Sequence, residues 1–172
     1  MDDSTRMIIF EEGKHRLWSY NSNKGGSCLS LSVKKNVSIG KVKANGGSEA
    51  EALINFAKAK DKHEADFYNL LFAKNEETYC LDEKDGKIFA VKKSSSSFYL
   101  SPKELRTPND GFFVLQKYKD QKEGGPDLLL YSNGKGKLSL QPWNVKGTSP
   151  ADDLVLGADP GFMFRAVKVL EQ

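Results

Sequence analysis

Histidine and cysteine are scarce in this 172-residue chain, with two of each, and tryptophan is equally rare. Each scarcity removes a kind of chemistry. Neither His15 nor His63 has a second His or a Cys at metal-ligand spacing, so no zinc site is offered and both read as surface histidines. Cys28 and Cys80 suit a reducing compartment and two free thiols better than a disulfide scaffold. The patterns Gly-x-Ser-x-Gly and His-Glu-x-x-His are missing. Asp82, Glu83 and Asp85 lack the distal glutamate that a calcium loop needs. Gly124-Gly125-Pro126 and Gly134-Lys135-Gly136-Lys137 lack phosphate-loop spacing and read as turns. The expectation is therefore a protein that is not an enzyme and carries no metal or cofactor.

Long apolar runs are also lacking. No stretch approaches the roughly 18 residues of a membrane helix, and Met7-Ile8-Ile9-Phe10 is too short for a secretory signal. No membrane insertion and no conventional export are expected, and the sequon Asn36-Val37-Ser38 reads as chance. Charge of one sign is missing too: 26 basic residues nearly balance 23 acidic ones, which does not point to nucleic acid as a partner. Local lysine clusters at Lys34-Lys35, Lys41 with Lys43, Lys58 with Lys60 and Lys62, and Lys92-Lys93 read as a solvated surface that protects strand edges.

What the chain does have is short apolar segments separated by Gly, Asn, Ser and Lys, the pattern of strands at regular spacing. Only Ser48 to Lys62 has helical character, and its Leu53, Ile54 and Phe56 fit a strand as well. Three hairpins share one layout: Arg16–Tyr20 with Ser27–Leu31, Asn69–Ala73 with Thr78–Leu81, and Asp127–Tyr131 with Lys137–Leu140. Each is followed by an apolar strand, at Leu53–Phe56, Phe112–Leu115 and Phe162–Val167. The spacing of about fifty residues is one at which repeat architectures occur. A single domain over residues 1–172 is expected, an all-β β-trefoil of twelve strands in three pseudo-repeats near 8–60, 67–118 and 127–170. Ser94 to Ser97 reads as a flexible loop. Trp18 and Trp143 read first as packing residues, with Trp143, after Gln141-Pro142, also a candidate contact aromatic.

His15-Arg16-Leu17-Trp18, Tyr68–Phe72 with Tyr79-Cys80-Leu81, Gly111–Leu115, and Phe162-Met163-Phe164 with Val167 together resemble the core strands of the interleukin-1 cytokine superfamily, which includes the interleukin-18 and interleukin-33 branches. The resemblance implies a monomeric, leaderless secreted cytokine or antagonist. Such a protein is drawn from a cytoplasmic pool, released without a signal peptide, and binds an immunoglobulin-type receptor ectodomain. Specificity would lie in the loops, because the core is shared by many functions. Candidate contacts there, chosen for charge or aromatic character, are Lys34, Lys35, Lys92, Lys93, Arg106, Lys119 and Trp143. An alternative is a glycan- or heparin-binding trefoil, because Leu81–Lys87 is also similar to the strand-turn pattern of fibroblast growth factors. A third reading is proteinase inhibition through Arg106-Thr107-Pro108-Asn109-Asp110.

Overall fold

Alternation of apolar and polar residues sets which side of each strand faces inward. In His15-Arg16-Leu17-Trp18-Ser19 the odd positions are buried and the even ones face outward. Ile39-Gly40-Lys41-Val42-Lys43 buries only Gly40 and Val42. The computed structural model describes residues 12–20, 27–35, 37–44, 53–59, 67–104, 112–119, 124–143 and 159–169. The strands are β1 (His15–Ser19), β2 (Ser27–Cys28), β3 (Ser30–Val33), β4 (Ile39–Lys43), β5 (Leu53–Lys58), β6 (Tyr68–Lys74) and β7 (Glu77–Lys84). They continue as β8 (Lys87–Val91), β9 (Leu100–Glu104), β10 (Phe113–Lys117), β11 (Leu128–Ser132), β12 (Leu138–Pro142) and β13 (Phe164–Lys168). A 3-10 turn at Pro160–Phe162 precedes β13, and no α-helix occurs among the described residues.

All thirteen strands belong to one sheet. Its path β12-β11-β10-β13-β1-β5-β6-β7-β8 closes on itself because Lys87 of β8 pairs with Ser139 of β12, which makes a nine-strand barrel. β4 and β3 extend from β8, β2 lies on β1, and β9 pairs along β10 and touches β6 at Tyr68. Closure leaves few free edges, which answers the marginal stability of isolated hairpins.

The twelve-strand β-trefoil in three pseudo-repeats is thus corrected to a closed barrel with extra strands. Among the described residues the sequence repeats do not contribute four strands each. Residues 8–60 hold β1–β5, 67–118 hold β6–β10, and 127–170 hold β11–β13. Pairing also crosses their boundaries, since β8 bonds to β4 on one side and to β12 on the other. β4 and β9 were missed in the sequence. β4 offers a single inward apolar side chain, Val42, and β9 contains Pro102, which demotes a run read by pattern alone. Leu53–Lys58, the end of the ambiguous helical segment, is a strand.

The interior is filled by Leu17, Leu31, Ile54, Leu70, Phe72, Leu81, Leu100, Leu115 and Phe164, all 1% exposed or less. A smaller cluster of Val114, Leu129, Phe162 and Met163 lies under Trp143 and Tyr131. His15 joins the packing instead of the surface: it is buried, edge-on to Phe56, with Nδ1 3.1 Å from the Gly13 carbonyl. His63 lies outside the described residues. Trp18 faces outward from β1 and is more than a third exposed, so its predicted share of the core is small.

Candidate functional site

The β8–β9 connection, Lys92 to Tyr99, is held by a buried polar residue of β6. Asn69 is buried between the core residues Tyr68 and Leu70. Its Nδ2 donates to the carbonyls of Ser96 at 3.1 Å and Phe98 at 3.0 Å. A buried amide without partners would cost about 1–3 kcal/mol, and these two bonds remove that cost on the donor side. Ser96 adds two anchors of its own: its hydroxyl donates to the Leu81 carbonyl at 2.9 Å and accepts from the Phe98 N–H at 3.2 Å. The Phe98 ring is buried in the core. At the ends, Lys92 N–H donates to the Ser38 carbonyl and Tyr118 N–H to the Tyr99 carbonyl, each at 2.9 Å.

What remains outside is Lys92, Lys93, Ser94, Ser95 and Ser97. The serine run read as flexible is therefore a pinned loop, with Ser97 exposed between two carbonyls that one buried amide holds. Its backbone needs no left-handed residue; among the described residues non-glycine positive φ angles fall only at Asn75, Glu76 and Asp85. Cys80 lies on the strand below, and burial pushes its thiol pKa up, the reverse of an activated nucleophile.

The candidate contacts fall into two groups. Lys34 and Lys35 sit in the β3–β4 turn, and the Lys92 to Ser38 bond brings that turn beside Lys92-Lys93, so these four share one edge of the barrel. Lys92 pairs with Glu77 at 3.2 Å, with both side chains about half exposed, a contact of little energetic weight. Lys119 and Trp143 are built elsewhere, on the chain flanking β10 to β12. Lys119 Nζ donates to the Gly125 carbonyl at 2.7 Å and lies 3.7 Å from an Asp127 carboxylate oxygen. Trp143 N–H donates to the Asp127 carbonyl, and its ring centroid lies 5.4 Å from that of Phe162, so it packs more than it presents. Arg106 and the Arg106–Asp110 loop lie outside the described residues.

Asn69 was overlooked in the sequence. Its signal was present, an asparagine inside the apolar run Tyr68–Phe72, where a side-chain amide must find buried partners. No cluster of three or more metal-binding side chains occurs among the described residues.

Fold and loop together describe a closed β-barrel whose interior is packed with side chains and whose specific features lie in its connections. No protein-family model matches the sequence, and no curated protein matches it. Among solved structures it is similar to a proteinase inhibitor from Coprinopsis cinerea, with a TM-score of 0.53 and 7% identity over 94% of this chain and 100% of that one. At that identity the likeness is one of fold.

Proposed function

We propose that the protein inhibits a proteinase by presenting the β8–β9 loop to its cleft, with Ser97 at the centre. The observation that carries this reading is the Asn69 amide bonded to the carbonyls on both sides of Ser97. Ordering a flexible loop on binding costs about 0.5–1.5 kcal/mol for each side chain immobilised, and a loop already pinned avoids much of it. Pinning also holds the two flanking residues in place against the attacking enzyme. The fold likeness to a proteinase inhibitor agrees with this reading. The protein's role is then binding and not catalysis.

The test is residual activity of a panel of serine and cysteine endopeptidases titrated with the purified protein. At least one should be inhibited. Ser97→Asp, at an exposed position that leaves the brace intact, should weaken that inhibition at least tenfold without changing the melting temperature. Failure to inhibit any member of the panel ends the reading.

A second reading keeps the interleukin-1 resemblance: a secreted ligand of an immunoglobulin-type receptor, contacting it through the edge where Lys34, Lys35, Lys92 and Lys93 meet. Surface plasmon resonance against receptor ectodomains of that family tests it directly, and no binding to any of them removes it.

A further inference from the structure

Lysines at the ends of separate hairpins meet at a junction that does not involve the β8–β9 loop. β4, β8 and β12 come together at one junction, where Lys87 pairs with Ser139 and an isolated bridge sets Lys43 directly opposite Lys137. Two further bonds fix the junction, from Ala44 N–H to the Gly136 carbonyl at 2.9 Å and from Leu140 N–H to the Gly86 carbonyl at 3.1 Å. The β4–β8 pairing covers Ile39 with Val91 and Gly40 with Ala90; further along the same edge of β8, β12 takes over, with Ser139 beside Lys87. On the other side of β8, Lys84 of β7 is the direct partner of Lys87.

Lys43, Lys84, Lys87 and Lys137 are all exposed, and their inward neighbours Val42 and Leu138 are buried. Like charges placed directly opposite each other in a sheet are destabilising. Here two such pairs, Lys43 with Lys137 and Lys84 with Lys87, occur side by side. None of the four forms an ion pair with a described residue. The acidic groups on β7 and its turn offset only part of this charge: Glu83 is taken by Lys117 at 2.6 Å, and the Asp82 carboxylate and the exposed Asp85 in the turn leave the four lysines in excess.

We infer that this junction binds a sulfated polysaccharide. Lys84 and Lys87 are direct partners, and Lys137, with Lys43 opposite it, stands two residues before Ser139, the partner of Lys87 on β12; with strands about 4.8 Å apart and about 3.3 Å per residue the four form a patch on the order of 10 Å across, a spacing that suits successive sulfates on one linear chain. Between and beside the lysines stand Ser139 and Gln141, joined by a 3.1 Å hydrogen bond and able to meet sugar hydroxyls. Single-stranded nucleic acid would ask for exposed aromatic faces on which bases stack. The aromatic residue of this face, Phe89, is half-buried opposite Asp82.

The test is chromatography on immobilised heparin, with melting temperature measured in parallel. The intact chain should be retained beyond about 0.15 M salt, where exposed charges a Debye length apart are screened. The triple variant Lys43→Gln, Lys87→Gln, Lys137→Gln should elute at clearly lower salt while melting no lower than the wild type, since it relieves repulsion. A control with Lys34→Gln, Lys35→Gln and Lys93→Gln should elute with the wild type. Elution of the wild type at or below physiological salt overturns the proposal. So does an unchanged triple variant, a control that falls as far, or displacement by single-stranded RNA as effective as displacement by soluble heparin.

Discussion

Two buried polar or backbone-tight positions show how much single residues decide. At Asn69 both amide hydrogens are committed to carbonyls, so the side chain must donate. Asn69→Ala is expected to cost about 1–3 kcal/mol. Asn69→Asp should cost more, because an ionised carboxylate has nothing to give two carbonyls. Denaturant unfolding of both variants checks the order, and an aspartate variant as stable as the alanine one would refute the hydrogen-bond account. Gly161 is tight for another reason. A Cβ there would collide with the edge of the Tyr131 ring and lie 2.7 Å from the Ser132 carbonyl oxygen. The ring has little room to yield, since its hydroxyl donates to Asp159 at 2.9 Å and its face meets Phe162 edge-on. Overpacking of this sort costs typically 1–3 kcal/mol, so Gly161→Ala should lower the denaturation midpoint with an unchanged slope. A wild-type midpoint would mean that Tyr131 moves freely.

At the level of elements, two hairpin turns offer a comparison inside one molecule. Asp85-Gly86 joins β7 to β8 with φ angles of 53° and 80°, and Asn75-Glu76 joins β6 to β7 with 53° and 63°. Both need left-handed backbone at both positions, the conformation of the favoured two-residue hairpin turn, in which Asn-Gly and Asp-Gly predominate. Glu76 is thus the misfit, a residue with a Cβ where its counterpart is glycine. Glu76→Gly should raise stability by about 1 kcal/mol, from the 1–2 kcal/mol strain of left-handed backbone less the entropy that glycine adds to the unfolded chain. Calorimetry checks it, and a lower melting temperature would mean that the Glu76 side chain contributes more than its backbone costs. The hairpins were legible in sequence because Leu-Leu-Phe and Tyr-Cys-Leu runs bracket such turns. β4 and β9 were not, since Gly40 fits only by lying against Leu31 and Val33 of its partner strand, a fact no local pattern contains. Nor was the Lys43, Lys87 and Lys137 junction: three lysines on three hairpins become neighbours only through register.

Across the whole molecule, closure of the barrel depends on pairings between residues far apart in sequence, such as Lys87 with Ser139 and Phe113 with Phe164, which explains why repeat spacing alone misjudged the architecture. Packing in and against the barrel also leaves three groups that resist ionisation. Burial is the foremost cause that raises the thiol pKa of Cys28, only partly offset by the positive charge of Arg16. Burial likewise leads for Cys80, with Asp82 adding to it and the Ser96 bond opposing it. For Tyr131 burial comes first, then its hydrogen bond to Asp159 and that carboxylate's charge. All three therefore hold their protons in the folded state at a pH where the unfolded chain releases them. An unfolded thiol ionises at about 8.5. Below that value these groups favour neither state, and above it the unfolded state binds fewer protons, so stability must fall as pH rises. The melting temperature should be level with respect to these groups from pH 6 to about 8 and decline through pH 9 and 10. Replacing both cysteines by serine should remove the first part of that decline and leave the tyrosine's share at higher pH. A melting temperature that holds or climbs through pH 10 would show that the barrel admits enough water to these side chains to let them ionise in place.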